Sequence, residues 1–284
     1  MDPLAQLKDR LVKLEKTLQT LAKTMDADLE VARELQKMLL PNRTQDISGL
    51  KSLARYISAQ QIASESFDLI PTKDGRELWI FTAWTESFGL SSVLLQALVH
   101  LQSRALVESR PNIGLDEAFN ELSTSVTQAK KTGHYRLMVA KLNISTLEMS
   151  GISVGFTPWF RRSRGPGGYG PWSFASTELP ITGDTIAPAS SDAPELSSQA
   201  HHFSFHATPG TRLLFLSPGW NANPKSSQEY LLPLDLESVP RTNDIADDLN
   251  HFLMKGQAHL KKTGTEADQT AVILEIDAKK LHIA

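Results

Sequence analysis

ELWIFTAWTESFGLSSVLLQALVHLQSRALVES, residues 77–109, decides how the rest of the chain is read. Residues 77–85 are strand-like, dense in aromatic and aliphatic side chains. From Leu90 the apolar residues recur at spacings of three and four, which predicts a helix over 90–109. The same periodicity predicts a second helix over 114–131, with Asn112 and Gly114 marking the break between the two. Strand-like segments lie upstream at 49–57 and 66–71. Downstream they resume at 135–143, 145–154 and 157–163. A Gly/Pro-rich loop, RGPGGYGPW, covers 164–172, and a polar stretch, expected to be a mobile loop, covers 182–198. Strands are expected again at 200–207 and 211–217, then a helix at 243–262 and a last strand at 270–277. Strands in runs with helices between them give an α+β sandwich of antiparallel sheets flanked by helices, not repeated βαβ units. No internal repeat is visible.

Ahead of this domain, Leu4, Leu7, Leu11, Leu14, Leu18, Leu21 and Met25 are spaced 3, 4, 3, 4, 3, 4, and Ala32, Leu35 and Leu39 continue the register. A strict seven-residue repeat puts these side chains on one narrow seam, which suits a partner helix. Residues 4–40 contain no Gly or Pro, and Pro41 ends the helix. Asp28 falls on the seam, where a buried, unpaired carboxylate would be costly, so the seam should splay there. The expected organisation is a coiled-coil dimerisation helix and linker over 1–41 and one domain over 42–284. The pattern suits parallel and antiparallel pairing alike, and a long helix packed on its own domain is the alternative.

Composition narrows the function classes. The formal net charge is −3, so no basic excess points to nucleic acid. There are no cysteines, which excludes disulfide and thiolate chemistry. No run approaches the roughly 18 uncharged apolar residues of a membrane span, and the first residues, MDPLAQLKDRL, do not form a signal peptide. A cytoplasmic protein is the expectation. His202 and His206 share a face of a strand-like run that His201 does not, and no carboxylate or Cys nearby supports a metal site with them or with His134. No G-x-S-x-G elbow occurs, and no Walker lysine follows the glycine-rich loop. Trp159, Arg161, Arg162, Arg164, Tyr169 and Trp172 crowd one region. Aromatics with arginine are favoured at interfaces, so Trp159, Arg161, Arg162, Tyr169 and Trp172 form a candidate partner surface.

Six short strings, in order, resemble the SpoIIE/RsbU type of PPM serine/threonine phosphatase. They are ADLEVARELQKMLLP (27–41), IASESFDLI (62–70), IFTAWTESFGLSSVLL (80–95), SVGFTP (153–158), PGTRLLFLSPG (209–219) and EADQTAVIL (266–274). The resemblance implies an αββα sandwich, two antiparallel sheets covered by helices. In that family a pair of Mg²⁺ or Mn²⁺ ions activates the water that attacks a phosphoserine or phosphothreonine, and several carboxylates hold the pair.

Residue by residue, the resemblance implies a degenerate site. The family's first metal-bridging Asp falls on Glu65, after Ala63 and Ser64 in place of two glycines. The Asp of the strand–turn–helix passage falls on Trp84, and its Gly-His pair on Ser87 and Phe88, followed by Gly89. The Asp of the S-D-G string falls on Pro218. Of the closing pair of Asp residues the first is Ala267 and the second survives as Asp268. Asp68 also survives near the first position. Indole and pyrrolidine rings supply no oxygen ligand, and the only acid at 80–90 is Glu86, so shifting the match by a residue does not restore the site. The expectation is a pseudophosphatase with no catalytic residues, no bound Mg²⁺ or Mn²⁺, a self-association seam, and a regulatory protein partner of the sigma-factor or anti-sigma-antagonist type. The alternatives are a weakly active Mn²⁺-dependent phosphatase using Glu65, Asp68 and Asp268, and a structural coiled-coil assembly protein.

Overall fold

The computed structural model describes residues 3–39, 45–47, 49–57, 64–85, 90–129, 135–154, 159–174, 200–217, 242–263 and 269–277. Among these, two antiparallel sheets pack face to face. One has six strands in the order β1(Gln45–Ile47), β2(Leu50–Ile57), β13(Gln269–Ile276), β12(Arg212–Leu216), β7(Trp159–Arg162), β10(Ser173–Phe174). The other has five, in the order β11(His201–His206), β6(Glu148–Val154), β5(Tyr135–Asn143), β4(Glu77–Thr85), β3(Glu65–Pro71). A two-residue ladder, β8(Arg164–Gly165) with β9(Gly168–Tyr169), folds the glycine-rich segment back on itself.

Alternation along each strand sends its side chains to two different cores. Phe67, Leu69, Leu78, Ile80, Met138 and Ala140 of the five-stranded sheet meet Leu213, Phe215, Val272 and Leu274 of the six-stranded sheet in the middle layer. The other set from the five-stranded sheet, Ile70, Trp79, Phe81, Leu137 and Val139, packs under α2(Leu90–Ser109) and α3(Leu115–Ala129). On the far side, Leu214, Leu216, Ala271 and Ile273 pack under α4(Ile245–Thr263) through Leu249 and Phe252. Helix, sheet, sheet, helix is therefore the layer order, each layer burying an apolar face that its neighbour also needs to bury. Asp244 caps α4 by accepting from the Ala246 amide at 2.9 Å.

The helix α1(Pro3–Leu39) is continuous over 37 residues, and its seam has two fates. Leu14, Leu18, Leu21 and Met25 project from the domain and are exposed in the single chain, while the side chains of Leu4, Leu7 and Leu11 lie outside the described set. Asp28 is exposed. From Leu29 onward the seam turns inward: Leu29, Ala32 and Leu35 pack against Val93 of α2. The Gln36 amide donates to Gln96 Oε1 at 2.7 Å. The expectation that Leu35 belongs to the intermolecular seam is thereby corrected, because α2 of the same chain covers it. The helix α2 is, by length and composition, apolar enough to cross a membrane, a feature the reading of its sequence missed. Here Ser92, Val93, Gln96, Val99 and Ser103 on its inner face are buried in the domain.

Gly151 of β6 lies opposite Phe203 of β11, and a Cβ there would stand 2.2 Å from the ring. The tip of the ring occupies the space a side chain would take. Gly151→Ala should therefore cost about 1–3 kcal/mol by overpacking. Thermal unfolding checks this, and the double variant with Phe203→Leu should recover part of the loss.

Candidate functional site

The middle layer opens at one end into a small cleft whose lining includes Glu65, Thr82, Trp84, Ser217 and Thr270 and the apolar residues Phe67, Phe215 and Val272. Three strands build its floor in register. Glu65 pairs with Trp84, and Trp84 pairs with Arg136, so the three side chains stand in one row on one face. Glu65 is buried, and its Oε2 accepts a hydrogen bond from Thr270 Oγ1 of the opposite sheet at 2.7 Å. Ser217 ties the strand ends together by accepting from the Thr270 amide at 2.9 Å. The guanidinium carbon of Arg136 lies 4.9 Å from the Trp84 ring centroid, a cation–π contact. Sequence reasoning missed Arg136 as a residue of the site because no family string contains it. Its position follows only from strand register.

Asp68 stands three residues beyond Glu65 on the same strand, so alternation aims it at the opposite face, toward α2. There Asp68 Oδ1 accepts from Arg104 Nη2 at 2.9 Å, and Oδ2 lies 3.0 Å from His100 Nδ1. Arg104 Nε also donates to His100 Nε2 at 3.1 Å. Asp68 thus clasps β3 to α2 and is kept out of the cleft that holds Glu65. A reading that joins Glu65 and Asp68 at one ion is corrected on this ground. A second small cavity, lined by Leu39, Asp68, Gln96, His100 and Ser103, lies beside this clasp where α1 ends.

Metal fit is decided by donor chemistry. Two divalent ions held close together need several bridging oxygens. In the described cleft row, Glu65 is the one carboxylate, its neighbour is an indole, and the next side chain is a cation. Among the described residues no group of three or more His, Cys, Asp or Glu could hold an ion. Ala63, Ser87, Phe88, Gly89, Pro218, Ala267 and Asp268 lie outside the described residues, as do His134 and the polar loop over 182–198. The described residues therefore do not fit an ion pair. His202 lies 3.6 Å from Asp116, an exposed contact that the sequence reading did not foresee.

The aromatic–arginine region is built inward, which corrects its assignment as a partner surface. Arg162, Tyr169 and Trp172 are buried, Arg161 and Arg164 are exposed, and the Trp159 side chain lies outside the described set. Arg162 and Arg212 face each other across β7 and β12, and Asp248 of α4 bonds both through its Oδ2, at 2.8 Å from Arg212 Nη1. Arg212 Nε further donates to Glu275 at 2.5 Å. Both arginines lie over the Tyr169 ring, at 4.8 and 3.8 Å. Burial pulls the Arg162 guanidinium below its ordinary value, an effect that Asp248 opposes. Burial also raises the Tyr169 hydroxyl, which Arg212 partly offsets. Removing the shared carboxylate leaves two buried cations facing each other. Asp248→Ala should therefore cost about 3–5 kcal/mol, read as a fall in Tm, whereas Arg161→Ala should leave Tm nearly unchanged.

No family model matches the sequence, and no curated protein matches it. Solved structures do resemble the fold. The PP2C domain of SiaA from Pseudomonas aeruginosa superposes with a TM-score of 0.64 at 10% identity, covering 90% of this chain and 98% of that one. RsbX in complex with magnesium gives 0.57 at 14% identity, covering 83% of this chain and 99% of that one. The RsbU and RsbW domains of a Mycobacterium tuberculosis protein give 0.59 at 14% identity, and there this chain covers 82% of its own length but 61% of the other. The αββα sandwich is thus the PP2C-type phosphatase fold, and these structural neighbours are PPM-type phosphatases.

Proposed function

We propose that this chain is a catalytically inactive PPM-type phosphatase-like protein that acts by binding. It would form a dimer through α1 and engage a regulatory protein partner of the sigma-factor or anti-sigma-antagonist type. The observation that carries this reading is the row Glu65–Trp84–Arg136 on the cleft face of three adjacent strands. An indole and a guanidinium stand where a dinuclear site needs oxygen donors. The cation–π contact keeps Arg136 at that place, and its charge repels a divalent ion. Asp68, the remaining acid of β3, is committed to Arg104 and His100 on the other face. Magnesium is bound by RsbX, a structural neighbour. Here the donor set supports loss of that chemistry while leaving the sandwich intact.

The partner class rests on the neighbours' setting, in which a domain of this fold shares a chain with an RsbW domain. The exposed leucines of α1 support self-association. A weakly active enzyme would need Glu65, Asp268 and waters to hold one Mn²⁺. A purely structural assembly protein would recover only itself in a pull-down.

The test is hydrolysis of p-nitrophenyl phosphate and of a phosphoserine peptide in excess Mn²⁺, with calorimetric titration of the ion. The expected outcome is no turnover above buffer and no saturable heat. Turnover that disappears in Asp268→Asn would overturn the proposal in favour of a single-ion phosphatase.

A further inference from the structure

The chain contains six methionines and no cysteine, so thioethers are the only sulfur it carries. The described methionines fall into two groups. Met138 and Met149 are buried in the layer between the sheets. Met25, Met38 and Met254 are exposed, at 62%, 79% and 70%. Met25 differs from the other two by its register. Leu4, Leu7, Leu11, Leu14, Leu18 and Leu21 hold the seam positions before it, and Met25 is the first that is not leucine. Packing does not ask for the change, because Leu and Met exchange in apolar layers at small cost. What the change supplies is chemistry, since a peroxide converts a thioether to a polar sulfoxide. The side chains three and four residues either side of Met25 are Leu21, Ala22, Asp28 and Leu29. None of them donates a hydrogen bond to a new oxygen, and the Asp28 carboxylate is itself an acceptor. Met38 lies past the point where α2 covers α1, and Met254 is on α4, so neither stands in the projecting seam.

We infer that Met25 is an oxidation site that sets the strength of self-association: pairing of α1 shields its sulfur, and the sulfoxide weakens pairing. This rests on the dimer reading above and adds its control by an oxidant, a hydroperoxide. In the step, Met25 Sδ donates a lone pair to one peroxide oxygen. The S–O bond forms as the O–O bond breaks, and the proton on the attacked oxygen passes to the departing one. With hydrogen peroxide the departing group is water. Sulfur loses two electrons, and the peroxide gains them. Burying the new dipole in the seam without a donor is unfavourable, and a dimer carries it twice, once per copy. Pairing therefore protects Met25, and oxidation of the unpaired chain keeps it unpaired.

The probe is hydrogen peroxide on the full chain. Peptide mass spectrometry reads oxidation at each methionine, and sedimentation equilibrium reads association. Before peroxide the wild type is expected to be a dimer. At concentrations where the dimer dominates, Met25 should oxidise several-fold more slowly than Met254, and on dilution to monomer the two rates should converge. Complete oxidation should weaken association at least about tenfold. Met25→Leu, treated alike, should keep its association while Met38 and Met254 are oxidised. A wild type that is monomeric before peroxide would overturn the dimer reading and this inference with it. A wild-type dimer in which Met25 oxidises as fast as Met254, or which survives complete oxidation of Met25, would overturn this inference alone. So would an equal loss of association in Met25→Leu, since the damage would then lie at another residue. The rate comparison uses the unaltered protein and so does not depend on any variant folding.

Discussion

Strand alternation in β3 and β4 is the constraint from which the rest follows. One sheet serves two cores, so every side chain on these strands is committed either to the cleft between the sheets or to the helices above. Glu65, Phe67 and Leu69 go one way, and Ser66, Asp68 and Ile70 go the other. A one-residue slip would exchange both sets and bury the wrong face throughout. The apolar layers fix the register, and the register in turn decides which polar groups can meet. Glu65 meets Thr270, 205 residues away, because both stand on the middle layer. Asp68 cannot join them at any rotamer, because the sheet itself lies between.

That constraint also separates the architecture of the domain from the character of its cleft. The inter-sheet core of Leu, Ile, Phe and Val is independent of what stands at the cleft mouth. A Trp at 84 keeps its apolar body against the layer and shows one face to Arg136. The ring of Trp84 and the guanidinium of Arg136 meet at this end of the sheet. The polar contacts that remain, Glu65 to Thr270 and Thr270 to Ser217, tie one sheet to the other. They form a structural seam across the sandwich.

Much of this was legible in the sequence. The strands at 77–85 and 135–143 and the helix at 90–109 have the bounds their patterns imply, because each carries one dominant period over its whole length. Helix α4 begins two residues later than expected, at Ile245, where Asp244 supplies the cap. What resisted reading was the direction of long polar side chains. Arg161 and Arg162 are neighbours of the same type on one strand, yet one faces water and the other is buried. Nothing local distinguishes them. Arg162 goes inward because Arg212 stands opposite it and Asp248, 86 residues away, supplies the counter-charge. Like charges directly opposed across two strands would push them apart, so the carboxylate from α4 is a condition of this edge of the sheet forming at all.

The heptad of α1 was legible as a pattern, but its partner was not. A seam states that something helical will cover it and leaves open what that is. The structure divides the answer at Asp28, the one seam position that apolar packing would reject. Before it the leucines project. After it, Leu29, Ala32 and Leu35 are taken by α2 of the same chain, and Gln36 is fastened to Gln96 within that contact. A helix that projects over one half and is packed on α2 over the other carries position from one half to the other, since 37 residues without Gly or Pro beyond the first turn resist bending. The inner face of α2 carries His100 and Arg104 to Asp68 on β3, two residues past the cleft row's neighbour Ser66. The physical path from the projecting leucines to β3 therefore runs through one interhelical contact and one ion-paired clasp, each with identified atoms at both ends.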